Sequence, residues 1–513
     1  MKKTLSFLFA LMLLAGTLIA SAPSVADTAE PTSVRVFLAT DRKIDEENAL
    51  IRQRVIDDIG VDLDYLTVSS SEGDQQFTLL VASREKMDLM ILTPLVYQQY
   101  ARQGGFMDIK DEYPKYPTLV EQIPQSGWDR TLVDGAIYGV PKLNLEGKYN
   151  FYLRGDWLEN LGLEVPKTID ELYTVLKAFV EQDPDGNGVA DTYGYSTGNL
   201  MPLYGAFGIM GPYPANGGGI ASAYYTLEGD KISANAISEN YKEALQFIKK
   251  MYDEKLIDPE AFVIKGEQVM QKFANSQLGA FSGWWNNAGS SLYRNYDMEN
   301  LAPDAKILML DPPTGKNGAS GMGGQDPLNN VIAVSRDTTV LDAALRYLDY
   351  SMTDNGWKTL AWGVEGTHWL EDDAGLLTHI AVLNQTDVNG KSIIPENLEL
   401  YSPLIRWDIY PNRYFLTDMV SVHNKEGLIR SGEIAQIRDV FVGLVTEEAI
   451  AYIPDLSKYE QEMMLGFILG SESLDNWDAY VSQWKALGGE EVRQSLLKAY
   501  NEQYGTSYTF LED

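Results

Sequence analysis

The stretch that decides the fold runs from residue 33 to residue 92 and begins with Ser-Val-Arg-Val-Phe-Leu at positions 33–38. Its pattern predicts strands at 33–38, 61–68 and 88–92, separated by helices at about 45–59 and 77–84. This alternation is typical of an open α/β sheet, which is the fold class that the sequence indicates. Ligands usually bind beyond the carboxyl ends of such strands, where Thr40-Asp41 and Thr93-Pro94 follow.

The composition limits the classes of function. The chain has 513 residues, which is too many for one hydrophobic core, so two or more domains are expected. Its formal net charge of −32 argues against binding to nucleic acid or docking on an anionic membrane. The absence of cysteine excludes disulfides, thiol catalysis and thiolate metal sites. The three histidines, His368, His379 and His423, do not cluster, so a transition-metal site is not expected.

The N-terminus has the pattern of a signal peptide over residues 1–26. Lys2 and Lys3 precede an apolar run from Leu5 to Ile19, and Ser24-Val-Ala26 forms a small-x-small cleavage site. A membrane anchor is the alternative, but the apolar run is short and is followed by small residues and a proline. The sequence therefore predicts an exported protein, periplasmic or extracellular, that is not lipid-anchored because it has no cysteine.

A second motif, Asp-Pro-Asp-Gly-Asn-Gly-Val-Ala-Asp at 183–191, matches most of an EF-hand calcium loop. Oxygen-bearing side chains occupy its positions one, three, five and nine, and glycine occupies position six. A capping box, Thr-Ile-Asp-Glu at 168–171, places the loop directly after an amphipathic helix. Position twelve is Gly194, not glutamate, so the remaining ligand would come from Thr192, from water or from a distant carboxylate. A metal-free polar turn is the alternative.

Four separated segments resemble a known family in their content and order. They are Leu-Arg-Gly-Asp-Trp-Leu-Glu-Asn-Leu-Gly-Leu-Glu-Val-Pro-Lys-Thr at 153–168, the loop at 183–191, Gly-Val-Glu-Gly-Thr-His-Trp at 363–369, and the segment 456–487. Together they resemble extracellular solute-binding proteins, family 1, of bacterial ABC transporters. The likeness is to the oligosaccharide-binding group, which includes the alginate-oligosaccharide-binding proteins, and it spans about residues 33–505.

This resemblance implies a two-lobed α/β fold whose ligand cleft lies between the lobes. The first lobe is expected at 27–142 and 330–370, and the second, mostly helical lobe at 143–329 and 371–513. The resemblance implies no catalysis. It implies instead that the protein, expected to be a monomer, closes around an oligosaccharide and delivers it to a permease in the membrane.

The resemblance also implies that the 183–191 loop holds a structural Ca²⁺. The ligands that it implies are Asp183, Asp185, Asn187, the Val189 carbonyl and Asp191. The family pattern commonly has a glutamate after the last aspartate. Here that position is Thr192, which we include as a candidate ligand although its affinity for calcium would be lower.

A sugar site needs exposed aromatic rings for the apolar C–H faces and polar side chains for the hydroxyls. The segment Gly-Trp-Trp-Asn-Asn at 283–287 has this composition and follows an apolar strand at 278–281. Adjacent residues of a strand face opposite sides. We therefore predict that either Trp284 or Trp285 stacks on the ligand while the other packs, and that Asn286 contributes hydrogen bonds. Burial of both tryptophans is the alternative.

Other candidate ligand contacts are scattered along the chain. Glu365 and Trp369 belong to a glycine-rich loop, where a carboxylate and a ring could meet a sugar. Arg413, near Trp407, would suit a uronate carboxylate, although a surface salt bridge is the alternative. The weaker candidates are Tyr97, Tyr204 and Trp128.

Two other classes of function remain open at this point. One is an exported, calcium-dependent polysaccharide hydrolase or lyase, because acidic residues are numerous enough to supply a catalytic pair. The other keeps the binding fold but binds a peptide, or presents its ligand to a sensor. The sequence contains no nucleophile elbow, metal-hydrolase motif or phosphate-binding loop, so the binding protein is the favoured interpretation.

Overall fold

The computed structural model describes residues 30–40, 49–144, 147–196, 200–211, 225–324, 327–371, 377–379, 404 and 419–511. Its strands are β1 Thr32–Ala39, β2 Val61–Val68, β3 Leu89–Leu92, β4 Leu132–Val133, β5 Ala136–Ile137, β6 Gly139–Leu143, β7 Tyr149–Arg154, β8 Tyr193–Tyr195, β9 Tyr225–Glu228, β10 Lys231–Ala234, β11 Leu278–Trp284, β12 Ile307–Leu310, β13 Met322–Gly323, β14 Leu328–Val334, β15 Trp369–Glu371, β16 Leu377–His379, β17 Gln436–Ile437 and β18 Thr509–Phe510.

The α-helices complete the described architecture. They are α1 Ala49–Ile59, α2 Gly73–Ala82, α3 Pro94–Arg102, α4 Pro117–Gln122, α5 Gln125–Asp129, α6 Gly155–Leu161, α7 Ile169–Glu181, α8 Met201–Gly205, α9 Glu239–Asp253, α10 Gly266–Ala274, α11 Met298–Leu301, α12 Leu341–Met352, α13 Asp354–Trp362, α14 Met419–Glu433, α15 Glu447–Leu469, α16 Trp477–Trp484 and α17 Glu490–Tyr504. No helix in these described ranges is both long and apolar enough to cross a membrane.

The first sheet has the strand order β2-β1-β3-β14-β6. β1 runs parallel to β2 and β3, whereas β14 is antiparallel to both β3 and β6. The three strands predicted from residues 33–92 are all present, which confirms the α/β prediction. The predicted helix at 77–84 lies earlier, because Arg84 adopts a left-handed φ of 57° that ends the helix before it.

Both faces of the first sheet are covered. Along β1, Val34 and Val36 point into one apolar core and Phe37 into the other, as the alternation of a strand requires. The core around Val34 includes helix α12, and the core around Phe37 includes helix α3. Strands buried on both faces read as nearly continuous apolar runs, which is why this region was readable from sequence.

The chain leaves the first sheet at the end of β6 and enters the second sheet at the start of β7. Strand β6 ends at Leu143 and strand β7 begins at Tyr149. The second sheet has the order β12-β7-β11-β8, and every residue of β7 is buried. A separate large core surrounds this sheet and includes Trp157, Trp477 and Trp484. These three tryptophans pack in the interior.

Helix α14 lies against the start of β7 and the end of β11. A Cβ atom at Gly427 would collide with the Trp285 carbonyl oxygen, and a Cβ atom at Gly147 would collide with the Ser431 carbonyl oxygen. The buried Asn150 amide donates a hydrogen bond to the Gly427 carbonyl at 2.8 Å. Glycine is therefore needed at both positions for the close approach of this helix to the connecting segment.

Substitution of Gly427 by alanine should destabilise the protein, because the added methyl group has no space beside Trp285. We expect a loss of about 1–3 kcal/mol in the free energy of unfolding, typical of overpacking. Gly432→Ala is the matched control on the same helix, since a Cβ atom there meets nothing within 4 Å. It should be neutral or stabilising by up to about 1 kcal/mol. Equal denaturation midpoints for the two variants would contradict this packing.

Candidate functional site

The 183–191 loop follows helix α7, as predicted. Thr168 accepts a hydrogen bond from the Glu171 backbone N–H, and the Glu171 carboxylate accepts one from the Thr168 N–H, which completes the capping box. At the other end of the helix the chain turns at Asp183 with a φ of 48°. Gly186 and Gly188 then adopt φ values of 69° and 78°, which glycine accepts without strain. The loop is thus built from the turn residues that the motif requires.

Three carboxylates of this loop converge on Asn187. Its side-chain amide donates hydrogen bonds to Asp185 at 2.8 Å and to Asp191 at 3.3 Å. Asp183 accepts hydrogen bonds from the backbone N–H groups of Asn187 at 3.2 Å and Gly188 at 2.9 Å. Partial burial raises the pKa of Asp185, and its contact with Asp183 and the negative charges of Asp183 and Asp191 raise the pKa further.

This loop has oxygen-bearing side chains that suit a cation, but those side chains are not arranged to coordinate one. Within the described part of the chain, no three His, Asp or Glu side chains are arranged to hold a metal ion. In the loop, the Asn187 NH₂ group occupies the position between two carboxylates where positive charge is favoured. Rotation of that amide would present its oxygen instead, and the set of oxygen donors would then suit a hard cation such as Ca²⁺.

Thr192 has a different role from the predicted one. Its hydroxyl donates a hydrogen bond of 2.7 Å to the Phe179 carbonyl, and its side chain is buried. Phe179 lies in the last turn of α7, where carbonyl groups lack partners within the helix. The hydroxyl therefore closes the helix instead of facing the loop. The structure also explains why position 194 is glycine. A Cβ atom there would lie 2.8 Å from the Leu256 carbonyl oxygen and 2.9 Å from the Leu176 Cβ.

The two adjacent tryptophans have different environments. Trp284 is the last residue of β11, and 47 % of its surface is exposed. Its ring lies 5.4 Å from the ring of Tyr149, its partner in the β7–β11 register. The Lys148 ammonium lies 5.5 Å from the Trp284 ring centroid. This arrangement leaves an aromatic face at the point where the chain enters the second sheet.

Trp285 packs into the interior. Only 8 % of its surface is exposed, and its backbone N–H donates to the Lys148 carbonyl at 2.8 Å. The buried Tyr152 hydroxyl donates to the carbonyls of both tryptophans, at 2.7 Å for Trp284 and 3.1 Å for Trp285. Asn286 follows with a half-buried side chain. The structure therefore distinguishes the two tryptophans: Trp284 ends β11 with an exposed ring, and Trp285 follows the strand and is buried.

Glu365 and Trp369 lie elsewhere, beside helix α13. Together with Arg54 and Lys358 they line a cavity of about 530 Å³. Glu365 is exposed, but only 4 % of Trp369 is exposed, and its indole N–H donates to the Gly363 carbonyl at 2.8 Å. Trp369 also packs in a cluster with Trp357 and Trp362. Because its ring is buried, it does not offer a stacking face in this structure.

The remaining candidates divide into buried and undescribed residues. Tyr97 is 1 % exposed, and its hydroxyl bridges the Thr131 carbonyl at 2.6 Å and the Tyr138 N–H at 3.0 Å. Burial raises its pKa. Tyr97 is thus a packing and hydrogen-bonding residue of the interior, which corrects its prediction as a ligand contact. The same holds for the buried Tyr204 and Trp128. Trp407 and Arg413 lie outside the described residues.

Two residues that sequence analysis missed lie beside the exposed ring of Trp284. Lys148 and Tyr149 carried no motif, and their proximity to Trp284 depends on pairing between strands separated by more than a hundred residues. The one available signal is their position directly after the predicted crossing between lobes.

Comparison with known proteins gives the context for this geometry. A family model described as bacterial extracellular solute-binding protein matches residues 53–356. The polygalacturonan/rhamnogalacturonan-binding protein YtcQ of Bacillus subtilis (strain 168) is 23 % identical over 406 residues, covering 78 % of this chain and 77 % of that protein. The fructooligosaccharide ABC transporter substrate-binding protein FusA of Streptococcus pneumoniae serotype 4 is 27 % identical over 500 residues, covering 90 % and 88 %.

Solved structures show the same fold. The alginate-binding protein AlgQ2, solved without calcium ion, matches with a TM-score of 0.67 and 22 % identity over 92 % of this chain and 98 % of that one. An EF-hand mutant of FusA in complex with fructo-nystose matches with a TM-score of 0.66 and 21 % identity, covering 93 % and 100 %. The α/β fold is thus the two-lobed fold of solute-binding proteins. This chain belongs to the bacterial extracellular solute-binding protein family.

Proposed function

We propose that this protein is the extracytoplasmic substrate-binding component of an ABC importer and that it binds an oligosaccharide. The observation that carries the proposal is the half-exposed ring of Trp284, placed at the end of a buried strand beside the connection between the two sheets. A rigidly held aromatic face suits the apolar C–H face of a sugar ring. The relatives YtcQ and FusA, named for binding polysaccharide and oligosaccharide, support this substrate class.

The two lobes supply the mechanism of capture. A ligand that contacts both lobes only when they approach each other shifts the population toward the closed form. Trp284 is fixed to the second sheet by the Tyr152 hydroxyl bond to its carbonyl, so it does not need to be ordered by the ligand. The closed, loaded form is then the form that a membrane permease accepts. We propose a monomer as the unit that does this.

Further contacts complete the proposed site. Asn286 is adjacent to the two tryptophans and offers both a donor and an acceptor to sugar hydroxyls. Glu365 is exposed beside helix α13 and offers acceptors only. Trp407 and Arg413 remain proposed contacts on the strength of their residue types. Trp285, Trp369 and Tyr97 act in this proposal as packing residues that hold the surrounding elements.

We also propose that the 183–191 loop binds Ca²⁺ as a structural ion. The carboxylates of Asp183, Asp185 and Asp191, the Asn187 amide oxygen and the Val189 carbonyl would hold it. The proximity of three loop carboxylates to the Asn187 side chain and backbone supports the proposal, because a cation would favour that grouping of oxygens. The calcium and EF-hand descriptions of AlgQ2 and FusA agree with such a loop.

The mature protein should melt at a higher temperature with a bound oligosaccharide, since a ligand of the native state stabilises it by mass action. At a sugar concentration 100 times the dissociation constant, the expected gain is about 2.7 kcal/mol. A thermal-shift screen of neutral and acidic oligosaccharides, followed by chromatography of the sugar, measures both binding and turnover. Recovery of shortened sugar would indicate an enzyme. The absence of any shift would remove the oligosaccharide from the proposal.

Trp284→Ala should weaken sugar binding by at least about tenfold, equivalent to about 1.4 kcal/mol, while changing stability by about 1 kcal/mol or less. Trp285→Ala is the matched control at the neighbouring position. Because Trp285 is 8 % exposed, its truncation should cost about 3–5 kcal/mol of stability. Calorimetric titration and thermal melting separate the two effects. A sugar affinity that survives Trp284→Ala would place the ligand elsewhere.

Calcium should raise the melting temperature of the wild-type protein, and a chelator should reverse the rise. In Asp185→Asn the calcium-dependent rise should be largely lost. Without calcium, this variant should melt at or above the wild-type temperature, because it removes one of three facing negative charges. Asp253→Asn, in an exposed i,i+4 pair with Lys249, is the control and should keep the full calcium response. A wild-type melting temperature indifferent to both calcium and chelator would remove the metal from the proposal.

A further inference from the structure

The backbone of Lys148 is held firmly, directly before strand β7. Its backbone carbonyl accepts the Trp285 N–H at 2.8 Å, and a Cβ atom on the preceding residue, Gly147, would collide with the Ser431 carbonyl. The backbone here is therefore clamped between the end of β11 and helix α14. The side chain extends from this fixed point to the exposed ring of Trp284, with its ammonium 5.5 Å from the ring centroid.

The charge on Lys148 has no carboxylate partner within the described part of the chain. This is notable because the sequence has 73 acidic residues against 41 basic ones. Some of the other described lysines have close acidic neighbours, as in Lys358 with Glu371 at 2.7 Å and Lys272 with Asp258 at 2.8 Å, whereas the Lys110 ammonium donates to the Gly135 carbonyl at 2.8 Å. Burial lowers the pKa of Lys148 to about 8, so the group still carries most of its charge at neutral pH.

We propose that Lys148 and Trp284 together form a subsite for a sugar residue that carries a carboxylate, so that the ligand of this protein is an acidic, uronate-containing oligosaccharide. The inference rests on the proposed function and specifies its substrate class. Trp284 would stack on the apolar face of the sugar ring, and the Lys148 ammonium would pair with the carboxylate at the ring's edge.

The chemistry of the subsite favours a charged ligand over a neutral one. A half-buried ammonium has already lost part of its hydration, and a neutral hydroxyl compensates that loss less well than a carboxylate does. The pairing also occurs where the closing first lobe would exclude water, which strengthens the attraction between opposite charges. A neutral sugar would still stack on Trp284 but would leave the ammonium unpaired. Selectivity for the acidic sugar follows from that difference.

The test compares sugars that differ only in the charged group. Isothermal titration of the mature protein uses trigalacturonate against galactotriose and trimannuronate against mannotriose, each pair with matched linkages. We expect the wild-type protein to bind at least one acidic trimer about tenfold or more tightly than its neutral match, and this preference should weaken with added salt. Lys148→Met should abolish the preference. Lys148→Arg should retain most of it.

Two controls keep the result interpretable. Lys148→Met removes a half-buried charge and keeps an apolar stem, so its melting temperature should not fall below that of the wild type. Lys250→Met is the matched control, since the Lys250 ammonium also lies over an aromatic ring, 4.0 Å from the Tyr173 centroid, but far from the crossing segment. It should leave both affinities unchanged.

The results that would overturn the uronate inference differ from those that would also overturn the proposed function. Equal binding of acidic and neutral trimers, or an acidic preference that persists in Lys148→Met, would overturn the uronate inference and leave the oligosaccharide-binding function intact. Binding of none of these trimers or of any longer sugar would overturn both the inference and the function on which it rests.

Discussion

The structure depends on a paired crossing between its two sheets. The chain leaves the first sheet after β6 and later returns to it through β14, and these two strands pair with each other at Leu143 and Leu328. Beyond that pair, the Asn144 N–H donates to the Pro327 carbonyl at 2.6 Å. The outgoing and returning connections therefore run side by side. Two separately cored sheets are joined by adjacent segments, which is the geometry that allows lobes to move relative to each other while staying in register.

This constraint also explains why the open aromatic face lies where it does. Immediately after the outgoing connection, β7 is buried along its whole length and pairs with β11 on one side and β12 on the other. The register places Trp284 opposite Tyr149, at the end of β7 that faces the crossing. Trp284, the last residue of β11, is exposed there, whereas Trp285, which follows the strand, is buried. The position of this aromatic face is therefore set by strand pairing.

Sequence reasoning succeeded where the information is local. The strands of the first sheet are short apolar runs bounded by polar residues, and the calcium-type loop is a fixed spacing of oxygen side chains after a capped helix. It failed where a side chain's partner is distant. Thr192 bonds to Phe179, 13 residues earlier, and Tyr97 bonds to the Thr131 carbonyl, 34 residues later. Both look like free polar groups in the sequence. Lys148 was missed for the same reason, since its environment is set by β11 and α14.

The loop and the aromatic site are connected through the second sheet, although they lie apart in the sequence. The loop joins α7 to β8, and β8 pairs in parallel with β11, Leu278 with Tyr193 and Ala280 with Tyr195. Helix α7 packs on the same strand, where a Cβ atom at Gly279 would collide with the Phe179 ring. The conformation of the 183–191 loop therefore helps to fix the position of β11, the strand that ends at Trp284.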